Sequence, residues 1–397
     1  MNNIKRLGLI LGAASLLVSL ILFAAWSLRK KSEGHLTWDP PVIKKSIQTY
    51  AYKVYGNSSL DEGRYFMSKT VFHNTGNKAV TDFSVSYRVA GYLDWTTPET
   101  LGQIPPGHTV IKCFYPQFPM KVTEIKNTTP SALEIKVHWN DGSGPREDVV
   151  RDEFVFRGVN ELEYTDLPAK ELVTWFDNFV NTDLVAAMVT PNDPVVTEYA
   201  AAVTERLHGA VAGAGGFKEA VEVMQGLYEY MSDTGLRYAG SLGFPDKVGD
   251  VVTTVQTVRL PRDVIISNNG LCIELTLLWA SVLDHLGIKS YLIIIPGHAF
   301  IVAKSEGQII PVECTAITPK AVGAKAPVNF VDAYKMASQE LEKAMDEGLY
   351  KIIDFRTLQS AGIQPPELPE INVDQVKNIL AQRRPMQQRV INQPIRR

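Results

Sequence analysis

The sequence predicts an α+β chain: an N-terminal transmembrane helix, an all-β sandwich, and then a domain of helices around one β-hairpin. Three observations lead there. Leu7 to Leu28 is uncharged and mostly apolar, long enough to span a bilayer. Between residues 36 and 160 apolar residues recur at every second position in short runs, the period of half-buried strands. From Glu161 the period shifts to that of amphipathic helices. The expected boundaries are an anchor over 1–31, a sandwich over 36–160, an α+β domain over 161–355 and a Pro-rich, basic tail over 356–397.

In chain order, Met1 to Arg6 is short and basic, and Phe23-Ala24-Ala25-Trp26 is a poor cleavage site, so a retained anchor is expected rather than a cleaved signal. Lys5 and Arg6 on one side are matched by Arg29, Lys30 and Lys31 on the other, so charge does not set the orientation. A single anchor ahead of the whole globular part fits a single-pass membrane protein with its domains exported. The full chain of 397 residues has a formal net charge of −3 and no long basic block, so no nucleic-acid partner is expected. Three cysteines, Cys113, Cys272 and Cys314, cannot build a disulfide framework, and an odd thiol suits a reactive one.

Phe83, Val85, Tyr87 and Val89 alternate with polar residues, as do Leu133, Ile135, Val137 and Trp139. Asn74-Thr75-Gly76-Asn77 and Asn140 to Pro145 are turns by residue type. Several such strands predict an immunoglobulin-like sandwich serving as spacer or binding module. Asp193-Pro194 starts a helix that runs to about His208, with Asp as N-cap and Pro at the first helical position. A Gly/Ala-rich loop over Ala210 to Gly216 leads to a helix over Phe217 to Ser232. Asn329 to Glu347 reads as another helix. Ile363 to Ile371 reads as extended, followed by a short amphipathic segment and a basic end with Arg383, Arg384, Arg389, Arg396 and Arg397.

The chemistry concentrates at Asn269-Gly270-Leu271-Cys272. Asn269-Gly270 is a turn signal, and Leu271 to Leu286 reads as a helix with almost no polar face, closed by Gly287. Cys272 therefore sits in the first turn of a buried helix, where the helix dipole favours a thiolate. Ile288 to Ile295 reads as a buried strand, and Pro296-Gly297 turns the chain into His298 and a second strand. If Glu306 and Gly307 form a two-residue turn, His298 lies across from Thr315. Glu313 then shares its face at diagonal reach, a carboxylate beside the imidazole. Pro311 is the residue at which a bulge would shift that register.

Taken together, Gln256 to Pro261, Asn269 to Cys272, Pro296-Gly297-His298-Ala299-Phe300 and Pro311-Val312-Glu313-Cys314-Thr315 resemble the core of the transglutaminase-like superfamily. That family is a rearranged relative of the papain-like cysteine proteases. The resemblance implies a papain/transglutaminase-like fold and a triad with Cys272 as nucleophile, His298 as base and Glu313 as orienting carboxylate. Many bacterial relatives carry Asp directly beside the cysteine, where this chain has Leu271 and Ile273. Trp is frequent in the family two places after the histidine, where this chain has Phe300, and Asp is frequent as the third residue. Gln256 has an amide able to donate to a tetrahedral oxyanion, as the papain-like glutamine does, with surface hydrogen bonding as the other reading. His285 reads as a helix-capping residue. A zinc site from Cys272, His298 and Cys314 lacks a fourth ligand, so no metal and no cofactor are expected. The implied activity is acyl transfer or hydrolysis on amide or peptide bonds of a protein or peptide substrate. The alternative is an inactive scaffold that binds a protein or cell-envelope partner. The anchor adds the membrane as a partner.

Overall fold

The computed structural model describes residues 15–24, 33–207, 216–240, 244–247, 255–317 and 328–383. It is a mixed α and β structure that divides into two compact units. The expected transmembrane anchor and single-pass membrane location are not retained. Among the described residues no helix is long and apolar enough to cross a membrane. Of the expected span, residues 15–24 are helical. At 1.5 Å per residue they rise about 15 Å, half of a hydrocarbon core of about 30 Å. The rest of that span lies outside the described residues, as do most of the Gly/Ala-rich loop and the basic residues after Arg383.

The first unit comprises 1–45, 61–119 and 130–155. Its first sheet centres on β3 (Ser68–Asn74), paired antiparallel with β1 (Leu36–Trp38), β2 (Val42–Ile43) and β6 (Thr109–Phe114). The second runs β8 (Pro145–Arg157), β7 (Thr129–Asn140), β4 (Val80–Val89), β5 (Glu99–Ile104). Phe83, Val85, Tyr87 and Val89 are all fully buried, as their alternation requires. The sheets meet through aromatic pairs: Phe72 lies 5.0 Å edge-on from Phe83, and Tyr87 stacks on Phe114 at 4.1 Å. The unit boundary differs from the expected one at residue 160. Segments 46–60, 120–129 and everything from 156 onward group with the second unit, because their hydrogen bonds lie there. Gln48 exchanges two bonds with the backbone of Glu163, at 3.0 and 3.2 Å, and Tyr50 Oη donates to Gln48 Oε1 at 2.7 Å.

The second unit is organised on a helix, α4 (Cys272–His285), buried continuously from Cys272 to Leu283. Around it pack α1 (Pro194–Arg206), whose N-cap Asp193 accepts from Val195 N at 2.8 Å, and the short α3 (Pro261–Ser267). A third helix, α2 (Phe217–Asp233), packs on α1. Two short pairs join β9 (Glu161–Glu163) to β11 (Val255–Thr257) and β10 (Arg237–Tyr238) to β12 (Asn269–Gly270). On another side of α4 lies an antiparallel sheet of order β15 (Gln308–Val312), β14 (His298–Ser305), β13 (Lys289–Ile295), β16 (Lys351–Asp354). The helix α5 (Phe330–Glu347) covers the other face of that sheet through Ala337 and Leu341, which pack with Ile293, Phe300 and Val302.

The stretch after residue 355 is not a plain tail: it contains α6 (Phe355–Ala361) and α7 (Val373–Gln382). Val376 and Leu380 are buried, and Arg383 donates to the carbonyls of Ile265 and Ile266 at the C-terminal end of α3. A guanidinium there satisfies carbonyls that the helix itself leaves open.

Candidate active site

Two local devices deliver the site. The first is the entry to α4. Asn269-Gly270 is not a turn: it is extended and pairs in parallel with Arg237–Tyr238. The left-handed residue is Asn268, φ 56°, which ends α3. Gly270 is needed for closeness instead, since a Cβ there would meet Leu275 at 2.9 Å. Leu271, the N-cap, has no polar side chain, and Glu274 supplies the capping from within. Its carboxylate accepts from Leu271 N at 2.9 Å and from Arg259 N, Nε and Nη2 at 2.7, 3.0 and 2.7 Å. Arg259 also donates to Asn269 O and Oδ1 at 3.0 and 3.1 Å. One guanidinium thus ties the loop before Cys272 to the first turn after it.

The second device is the hairpin. Glu306 and Gly307 have φ of 48° and 80°, both positive as a primed two-residue turn demands. Pairing runs from Ser305↔Gln308 to Ile301↔Val312 in the expected register, and passes Pro311 without a slip because β15 is an edge strand. The ladder stops there. Glu313 is not on the strand but caps the short 3-10 turn Cys314–Ala316, accepting from Thr315 N at 2.8 Å. Gly297, φ 72°, makes the tight turn that starts β14 at His298.

These pieces bring Cys272, His298 and Glu313 together. His298 Nε2 donates to Glu313 Oε2 at 2.6 Å, and Cys272 stands close enough to the imidazole to act on its pKa. The Cys272 residue is fully buried, and Glu313 is 2% exposed. Burial by itself lowers the pKa of His298, but its hydrogen bonds with Cys272 and Glu313 and their charges raise it to about 10. Burial pushes Glu313 up, yet His298 and Thr315 hold it below the usual carboxylate range.

Gln256 is buried at 4% exposure, which removes the surface reading. It lies on Val255–Thr257, paired with Glu161–Glu163, and its Oε1 accepts from the Tyr164 hydroxyl. Burial raises the Tyr164 pKa well above the ordinary phenol value, and the Cys272 and Glu274 charges add to it. His285 Nδ1 is 2.8 Å from Pro191 O, a bond away from the site. Cys314 Sγ lies 3.4 Å from Thr276 Oγ1, and burial raises its pKa well above the thiol norm.

The residue types at Arg259, Glu274, Tyr164 and Glu340 were not singled out by pattern. A Glu three places after the N-cap, the capping-box spacing, is the sequence signal that could have found Glu274. Glu340 sits on α5, and ligand atoms of His298, Glu313 and Glu340 all lie within 4.8 Å of one another. That group, rather than Cys272, His298 and Cys314, is the candidate for an ion among the described residues. Two ligands of a first-row ion at about 2.0–2.2 Å stand roughly 3 Å apart or more. The 2.6 Å between His298 and Glu313 is the spacing of a shared proton. No protein-family model matches the chain, and no curated protein matches it.

Proposed function

We propose that Cys272, His298 and Glu313 act as a nucleophile, base and orienting carboxylate in thiol-dependent acyl transfer on amide or peptide bonds. The observation that carries this reading is one imidazole bonded at 2.6 Å to a buried carboxylate and shifted in pKa by a fully buried cysteine at a helix start. The Cys272 sulfur attacks the carbonyl carbon, its proton having passed to His298. Glu313 keeps the Nε2–H tautomer and stabilises the imidazolium. Collapse of the tetrahedral adduct moves the Nδ1 proton to the leaving amine and leaves an acyl-enzyme. Water or a second amine then takes the acyl group, with His298 removing the acceptor's proton. The resemblance of the Gln256–Thr315 motifs to the transglutaminase-like superfamily agrees with a protein or peptide substrate. Gln256, oriented by Tyr164, is the side chain proposed to donate to the oxyanion.

A second reading, an inactive scaffold that holds a protein partner, is favoured by one fact: the Cys272 residue has no exposed surface. Alkylation by iodoacetamide at neutral pH separates the two. Acyl transfer expects Cys272 to react at least about tenfold faster than the half-buried Cys113, and to lose that advantage in His298→Ala. A Cys272 that reacts no faster than Cys113, with or without His298, sinks the enzymatic reading.

A further inference from the structure

Behind the His298–Glu313 pair stands a carboxylate that the proposed chemistry does not use. Glu340 projects from α5, and its Oε2 is buried without a hydrogen-bond partner. A buried, unpartnered carboxylate oxygen is costly when charged, and costlier beside a second carboxylate. Protonation removes the charge. Here the second carboxylate is Glu313, within 4.8 Å, and the compensating cation is His298, also within 4.8 Å. The remaining neighbours do not supply a competing donor. Along α5 only Lys343 contributes, and its ammonium lies 3.9 Å from Glu347. On the strands under α5, β15 brings no titratable side chain, β14 brings His298, and β13 brings Tyr291. From α2, Tyr228 faces Glu313, its hydroxyl donating to Val328 O at 3.2 Å.

Resting on the acyl-transfer reading of the site, we propose that Glu340 is a positioning residue that sets the pH range over which His298 releases its proton. Neutral Glu340 leaves the imidazolium with one carboxylate partner, Glu313, and a proton it can pass to a leaving amine. Ionised Glu340 places a second negative charge at the same imidazole, which tightens the hold on that proton and slows its transfer. Burial, and then the Glu313 charge, push the Glu340 pKa up, against the pull of His298 and Lys343, which agrees with a neutral group at the lower end of the range.

The test follows the His298 ring directly and needs no turnover. Histidine labelled at the ring carbon is titrated by NMR in the full chain, in Glu340→Gln and in Glu340→Asp, with near-UV circular dichroism to confirm an intact fold. Gln is permanently neutral, so the His298 midpoint should fall by about 1 unit. Asp keeps the charge on a shorter stem, so its midpoint should lie between the two. A midpoint unchanged in Glu340→Gln overturns the proposal, as does one that rises. The alkylation of Cys272 fails or succeeds separately, so loss of the thiol reading and loss of the Glu340 role are told apart.

Discussion

At His298 two opposing effects meet, and their balance makes predictions in pH. Burial disfavours the imidazolium, while the Cys272 and Glu313 bonds favour it and win. Because the folded pKa of about 10 lies above the ordinary 6.5, the pair stabilises the fold fully below about pH 6.5. That share is lost as pH rises towards 10. Glu313, held below its ordinary 4.5, has the opposite sign: its share is present above about pH 4.5 and lost as pH falls. The melting-temperature gap between wild type and His298→Ala should therefore be widest near pH 5 to 6 and shrink by pH 10. A gap that grows with pH would reverse the assignment. Glu313→Gln keeps the volume and loses the charge, and should cost roughly 10² to 10⁴ in rate. Added to His298→Ala it should cost little more, since the carboxylate acts through the imidazole. Additive losses in kcat/KM would place Glu313's role elsewhere.

At the scale of elements, the entry to α4 and the hairpin are the two pieces whose failure would scatter the site. Glu274 is 1% exposed, and its carboxylate meets both Arg259 and the Leu271 N–H. Removing it takes the counter-charge from a guanidinium and the acceptor from two backbone N–H groups. Glu274→Ala should destabilise by about 3 kcal/mol, read by urea unfolding, and should slow Cys272 alkylation as the turn loosens. The hairpin test is Gly307→Ala. A Cβ there meets nothing within 4 Å, so the cost is backbone strain at φ 80°, about 1–2 kcal/mol. A neutral result would mean that another turn conformation holds the same register. Glu306 does further work from this turn: its carboxylate accepts from Phe217 N at 3.1 Å, an anion at the start of α2.

For the whole molecule, the units do not follow the chain. Residues 46–60 and 120–129 are early in the sequence yet belong with the second unit. Glu163, 5% exposed, is held from residues before 161: Ser46 of the early segment and Arg157 meet its carboxylate, and Gln48 meets its backbone. A fragment beginning at residue 161 should lose the sharp thermal transition of the full chain, because it buries Glu163 without these partners. A fragment with an undiminished transition would show that the early segments contribute nothing to the unit's stability.

The sequence by itself determined what local chemistry decides. Apolar spacing and Gly287 placed α4, Asp193-Pro194 placed the start of α1, and the Glu306-Gly307 turn set the register from Ser305↔Gln308 to Ile301↔Val312, short of the expected His298–Thr315 pair. These are set by backbone conformation and by periods of a few residues, so they are legible without the rest of the chain. Hydropathy misled at the N-terminus: an apolar run reports what a segment is able to bury, whereas the described helix there covers only residues 15–24. Tertiary structure alone decided the partners. Glu313 reaches His298 from beyond the end of its strand, Glu274 takes Arg259, Gln256 is turned by Tyr164, and Glu340 comes from a helix on the far face of the sheet. Each contact joins residues distant in the chain through burial in one unit. Burial depends on the packing of every element around α4, and no window of sequence contains it.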